Sequence, residues 1–253
     1  MSSLGTGLIS AGIIVVGSLF GIWLQRVLPK HYLDKETQDV VRLSAGMIAT
    51  LTALVLGLLV SSAKNSFDAV NSAVVQSSAK IIILDRVLAD YGPETKPARE
   101  QLRRSVVDGI DMIWSRNRTG VSAAISLERA NAMELLTQTL RDLPPGGEAQ
   151  RQILTQARQI VGELIHTRLL LIEQLHSELP LPLLVILVFW LTLMFVSFGL
   201  FAPPNRTSIT VLCVGACAVS AAIFLVLELN APLEGLIKVS NAPLRYAAQQ
   251  IGH

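Results

Sequence analysis

The chain has 253 residues, is 51% hydrophobic and 16% charged, and sets 21 Lys/Arg against 19 Asp/Glu. A charged fraction well below the ~25% usual in soluble domains points to membrane burial. The near balance of charge, with neither a basic patch nor an acidic tail, gives no basis for a nucleic-acid partner.

The charges are unevenly placed: residues 64–178 hold fourteen of the basic and fourteen of the acidic side chains. Residues 1–25 carry none. They lack the basic start and cleavage site of a secretory signal, so 4–24 is predicted as a first transmembrane helix. Gly17 and Gly21 form a GxxxG pair, which lets a neighbouring helix backbone approach. A polar connection containing Pro29 leads to 39–91, a stretch without proline. Residues 43–63 of it are charge-free and make the second span, while the remainder is polar with apolar residues still at helical spacing. The expectation is one helix that leaves the membrane and becomes the first helix of a soluble bundle. Ala49, Ala53, Gly57 and Ser61 recur every four residues as a small-residue face, for packing within the chain or between copies. Beyond them, Phe67, Val70, Val74, Ser77, Ile81, Leu84, Leu88 and Tyr91 form a heptad-spaced seam, closed by Gly92 and Pro93.

Three more soluble helices are predicted. The first covers 96–116, with Leu102, Val106 and Ile110 as its stripe. The second covers 122–143, using Leu127, Met133, Leu136 and Leu140. The third covers 148–179, using Ile153, Ala157, Ile160, Leu164, Leu171 and Leu175. Pro144, Pro145, Gly146 and Gly147 form the turn before the last of these. Two charge-free runs, 179–205 and 207–227, hold the third and fourth spans. Cys213 and Cys217 are expected as small packing residues on one helix face, and Glu228 as an interfacial residue. No stretch alternates with a period of two. The predicted fold is therefore an all-α membrane protein with four transmembrane helices in two hairpins. The first hairpin is 1–63 (spans 4–24 and 43–63) and the second is 179–229 (spans 181–201 and 207–228). A soluble helical bundle, 64–178, is inserted between them, and the second helix runs on into it. The tail, 230–253, lies along the membrane or packs on the bundle.

No phosphate-binding, dinucleotide, zinc-protease or serine-hydrolase motif is present. Glu163 with His166, and Glu173 with His176, each share a helix face as in di-iron bundles, where such motifs come from different helices. Here both sit on one helix roughly 15 Å apart and cannot share an ion, so no metal, cofactor or enzymatic activity is expected. Permeation offers another reading. Thr50, Leu54, Gly57, Ser61, Lys64, Asn65, Asp68 and Ser72 fall on one stripe, apolar in mid-membrane and increasingly polar toward the bundle. Several copies around an axis would turn it into an apolar constriction opening on a polar vestibule, where Lys64 raises the local anion concentration. The same stripe fits hydroxyls bonded to neighbouring helices and a lysine reaching the headgroups. Charge counting leaves orientation tied: Arg26, Lys30, Lys35, Arg42 and Arg206 on one side, Lys64, Lys80, Arg168, Lys238 and Arg245 on the other.

Several segments resemble the bestrophin-like family of bacterial multi-pass membrane proteins. They are Gly57-Leu58-Leu59-Val60, Ala63-Lys64-Asn65-Ser66-Phe67-Asp68, Leu84-Asp85-Arg86, Leu88-Ala89-Asp90-Tyr91-Gly92, 197–203, 224–229 and Pro243-Leu244-Arg245. The resemblance implies an oligomeric inner-membrane channel for small anions such as chloride, a pentamer by analogy, with the second helix as pore liner. It also implies that the bundle and both termini are cytoplasmic. The chain lacks the arginine-aromatic-glycine stretch and the aromatic neck of true bestrophins. The alternative is a non-conducting membrane scaffold whose bundle binds a soluble partner through the 67–91 seam.

Overall fold

The computed structural model describes residues 3–29, 34–114, 133–176, 181–203, 205–233 and 235–252. Its helices are α1 (Ser3–Val27), α2 (Lys35–Tyr91), α3 (Lys96–Trp114), α4 (described over 133–142), α5 (Glu148–His176), α6 (Leu181–Phe201), α7 (Arg206–Leu229) and α8 (Ala242–Gln250). No strand occurs among the described residues. Among the described residues four helices, α1, α2, α6 and α7, are long and apolar enough to cross a membrane. Of the expectations for the second soluble helix, residues 122–132, with Leu127, lie outside the described residues.

Helix α2 is continuous for 57 residues, roughly 85 Å at ~1.5 Å per residue. It begins four residues earlier than its apolar pattern suggests, because the side chain of Asp34 accepts the Thr37 N–H at 2.9 Å and caps the first turn. It ends at Gly92, whose φ of 134° belongs to the region L side chains rarely adopt. Fully buried Thr95 then donates its hydroxyl to the carbonyls of Leu88 and Gly92, satisfying acceptors that the helix end leaves open.

The chain divides into two compact units, Met1–Phe67 with Ser177–Ile237 and Asp68–His176 with Lys238–His253. In the first, α1 lies against α6 and α7 around a core that includes Ile14, Leu59, Leu187, Phe195 and Ile223. The closest approach is glycine on glycine. A Cβ added at Gly21 would collide with the Val196 carbonyl, one at Gly199 with the Ser18 carbonyl, and one at Gly17 would sit 2.9 Å from Thr192 Cγ2. Two buried hydroxyls in this unit bond to their own helix, Ser10 to the Thr6 carbonyl at 2.9 Å and Ser220 to that of Ala216 at 2.7 Å. The cysteines do not share a packed position as expected, since Cys213 is half-buried and Cys217 exposed.

The second unit encloses Ile81, Leu84, Leu88 and Tyr91 of α2 with Leu102, Val106 and Ile110 of α3, Leu136 and Leu140 of α4, and Ala157, Ile160 and Leu164 of α5. Of the tail, only the part from Lys238 onward belongs to this unit. Ala247 of α8 and Ile251 are buried in that core, and the Trp114 indole N–H donates to the Val239 carbonyl at 2.9 Å. Asp85, almost fully buried amid the seam, receives both arms of the Arg99 guanidinium at 2.6 and 2.8 Å and the Gly252 N–H at 3.3 Å. One carboxylate thus ties α2, α3 and the tail. Replacing Gly21 by Leu is expected to abolish the monodisperse folded protein. Gly46→Ala, at a position where an added Cβ meets nothing within 4 Å, should leave the thermal midpoint in detergent within about 2 °C, in line with surface substitutions of ±0.5 kcal/mol.

Candidate functional site

Successive residues of a helix turn by roughly 100°, and that rotation divides α2 into two sides. Ala45, Thr52, Leu59, Ala63, Val70, Val74 and Ile81 are buried and cluster about one direction. Thr50, Leu54, Gly57, Ser61, Lys64, Asn65 and Asp68 cluster about nearly the opposite direction, and every one of them is exposed. Leu54, with its neighbours Leu51 and Leu58, makes the middle of this side apolar. A Cβ added at Gly57 would meet no atom within 4 Å. The Thr50 hydroxyl donates to the Gly46 carbonyl at 3.0 Å, so its proton is held by the helix and its lone pairs face outward. The Lys64 ammonium lies 6.0 Å from the centre of the Phe67 ring.

The small-residue row behaves differently from a packing face within the chain. Ala49 is half-buried, while Ala53, Gly57 and Ser61 are exposed. The intrachain contact runs instead through Ala45, Thr52, Leu59 and Ala63. Thr52 is the odd member, since its buried hydroxyl oxygen has no hydrogen-bond partner among the described residues.

The Glu–His pairs of α5 are engaged otherwise or undescribed. Glu163 forms an ion pair with Lys80 at 3.1 Å, and the Gln159 amide, followed by Lys80, lowers its pKa from the ordinary carboxylate value. Glu173 is exposed, and the His176 side chain lies outside the described residues. Among the described residues no three His, Cys, Asp or Glu side chains gather as a metal site. In the bundle, the hydrogen bond to Asp85 raises the pKa of Arg99 against the effect of its burial. Burial lowers that of Arg168.

Glu228, expected as an interfacial residue, stands at the end of α7 and packs within the protein. It is completely buried, and its Oε1 accepts the backbone N–H groups of Leu236 and of Ile237, the latter at 3.2 Å. Gly235 turns the chain there with a φ of 85°, and a Cβ at that position would run into the Glu228 carboxylate. The signal for this was present in the sequence. A carboxylate in the last turn of a helix opposes the macrodipole and must find compensating N–H groups, and a glycine seven residues on can deliver them.

Residues 12–244 match the Bestrophin-like domain. Two crystal structures of a bacterial bestrophin homologue from Klebsiella pneumoniae resemble this fold. One carries a leucine-to-threonine mutation and the other an isoleucine-to-threonine mutation. The first has a TM-score of 0.70 at 14% identity, covering 99% of this chain and 98% of its own. The second has a TM-score of 0.68 at 15% identity, covering 99% of each. A crystal structure of a membrane protein with a proline-to-alanine mutation gives 0.69 at 14% identity, covering 99% and 98%. No curated protein matches the sequence. Glu228→Ala removes the shared acceptor of the Leu236 and Ile237 N–H groups and is expected to cost on the order of 1 kcal/mol. Glu228→Gln keeps an acceptor and should cost far less, a difference read from thermal melting of the solubilised protein.

Proposed function

The chain belongs to the bestrophin-like family, and from that premise we propose that it is an oligomeric channel for small anions whose path is lined by α2. The observation that carries this reading is the uncovered stripe from Thr50 to Asp68, opposite the side by which α2 packs within its own chain. A helix in such a position can pack with one face and still present the other to a symmetry axis. Copies arranged about that axis bring Leu54 side chains together as a narrow apolar ring. Such a ring gates by dewetting. Ser61 and Asn65 follow as hydrogen-bonding groups that substitute for water around an ion, and Lys64 adds positive charge where the lining becomes polar. Asp68 lies one turn beyond Lys64, so selectivity between anions and cations depends on the balance of the two.

By analogy with bestrophins the oligomer is a pentamer in the bacterial inner membrane, with the bundle and both termini in the cytoplasm and chloride among the permeant ions. Proton transfer and group transfer are not part of this account, because the exposed stripe offers lining groups rather than a nucleophile with a base. The non-conducting scaffold is the competing reading, and flux separates the two.

Protein reconstituted in liposomes should pass chloride. Leu54→Ala should raise the flux severalfold by widening the apolar ring. Lys64→Glu should reduce the preference for chloride over potassium by about tenfold, equivalent to ~1.4 kcal/mol. Bilayers that stay tight to chloride across several lipid compositions and pH values would refute the proposal.

A further inference from the structure

The first unit contains a cleft of about 490 Å³ between the start of α2, the end of α6 and the start of α7. Its walls are apolar, with Ala45, Ala49, Phe198, Phe201 and Val211 among them, and Thr207 and Ser208 add hydroxyls. One charge lines it, that of Arg42, the last ionisable residue before the charge-free span 43–63. Among the described residues the exposed Arg42 guanidinium has neither an ion pair nor a hydrogen bond. The charge therefore stands at the membrane-surface end of an apolar cleft. The cleft is open along its length, since Gly46, Phe198 and Val211 are exposed.

We propose that this cleft binds one anionic phospholipid, with an acyl chain along the Phe198–Val211 wall and the phosphate on Arg42. Both halves of the argument are chemical. A guanidinium offers a planar fork of donors that matches phosphate oxygens, and at the level of the headgroups the phosphate is the abundant anion. The apolar walls need a chain that continues into the hydrocarbon, which free phosphate does not have. The volume lies within the range of small-molecule sites and equals only about one turn of helix with its side chains, too little to seat a helix of a second copy. The inference rests on the membrane-spanning fold alone and not on conduction, so it stands or falls separately from the channel reading.

The test is native mass spectrometry of the purified full chain in mild detergent. Phosphatidylglycerol and phosphatidylcholine of identical acyl composition are each added in turn. The wild type is expected to retain one phosphatidylglycerol per chain with about tenfold preference over phosphatidylcholine. Arg42→Ala should lose that preference and Arg42→Lys keep part of it. Gly46→Phe, which fills the cleft from a position with open space above it, should reduce retention of both lipids. Arg206→Ala, outside the cleft lining, should change nothing, which separates the site from general attraction to basic residues. Equal retention of the two lipids by the wild type, or an Arg42→Ala protein with unchanged preference, would overturn the proposal.

Discussion

The backbone hydrogen-bond ladder of α2 runs unbroken from Lys35 to Tyr91, and most of the architecture depends on that continuity. No proline interrupts it, and its glycines at 46 and 57 sit where no neighbour approaches, so neither marks a close contact within the chain. Because the ladder does not break, the direction of each side chain at residue 45 fixes the direction of every other down to residue 91. The buried side therefore passes from Ala45 and Leu59 to Val74 and Leu88 without changing face, and the exposed side stays exposed. A helix of this length would not hold its shape in water by propensity alone. Burial of Ile81, Leu84, Leu88 and Tyr91 at one end and of Leu59 and Ala63 at the other supplies what propensity cannot.

Two carboxylates do work that apolar periodicity does not announce. Asp85 occupies a seam otherwise filled by Leu84 and Leu88 and joins Arg99 to the chain terminus. A buried ion pair of this kind contributes little to net stability compared with apolar packing; its bidentate geometry instead fixes which surface of α3 faces α2. Glu228 holds the 235–237 turn at the end of α7. Both residues stand inside segments that carry the family resemblance, Leu84-Asp85-Arg86 and 224–229, and their bonds give those segments a physical meaning.

What could be read in the sequence followed from periodicity and from charge. Runs without charge picked out the four helices that are long and apolar enough to cross a membrane, and the 3-4 spacing picked out residues of α2, α3 and the first part of α5 that fill the bundle core. The ends of elements were less legible. The start of α2 is set by Asp34, a single capping side chain outside the apolar pattern. Contacts distant in sequence were not legible at all, because Asp85 with Gly252 and Trp114 with Val239 have no periodic signature. Ala53 and Ala49 illustrate the remaining ambiguity: small residues every four positions mark a surface that permits close approach, but not the helix that makes it. Within one chain that approach is realised at Gly21 and Gly199, while the Ala53–Ser61 row is left open.

The central claim is that the open side of α2 faces other copies around an aqueous axis. It is tested most directly by single cysteines in a protein whose native Cys213 and Cys217 are replaced by alanine. Ser61→Cys should cross-link between copies under mild oxidation and react with a charged, membrane-impermeant thiol reagent, while Ala63→Cys, on the buried side, should do neither. An unreactive Ser61→Cys with a reactive Ala63→Cys, or a protein that remains a monomer in the membrane, would contradict it.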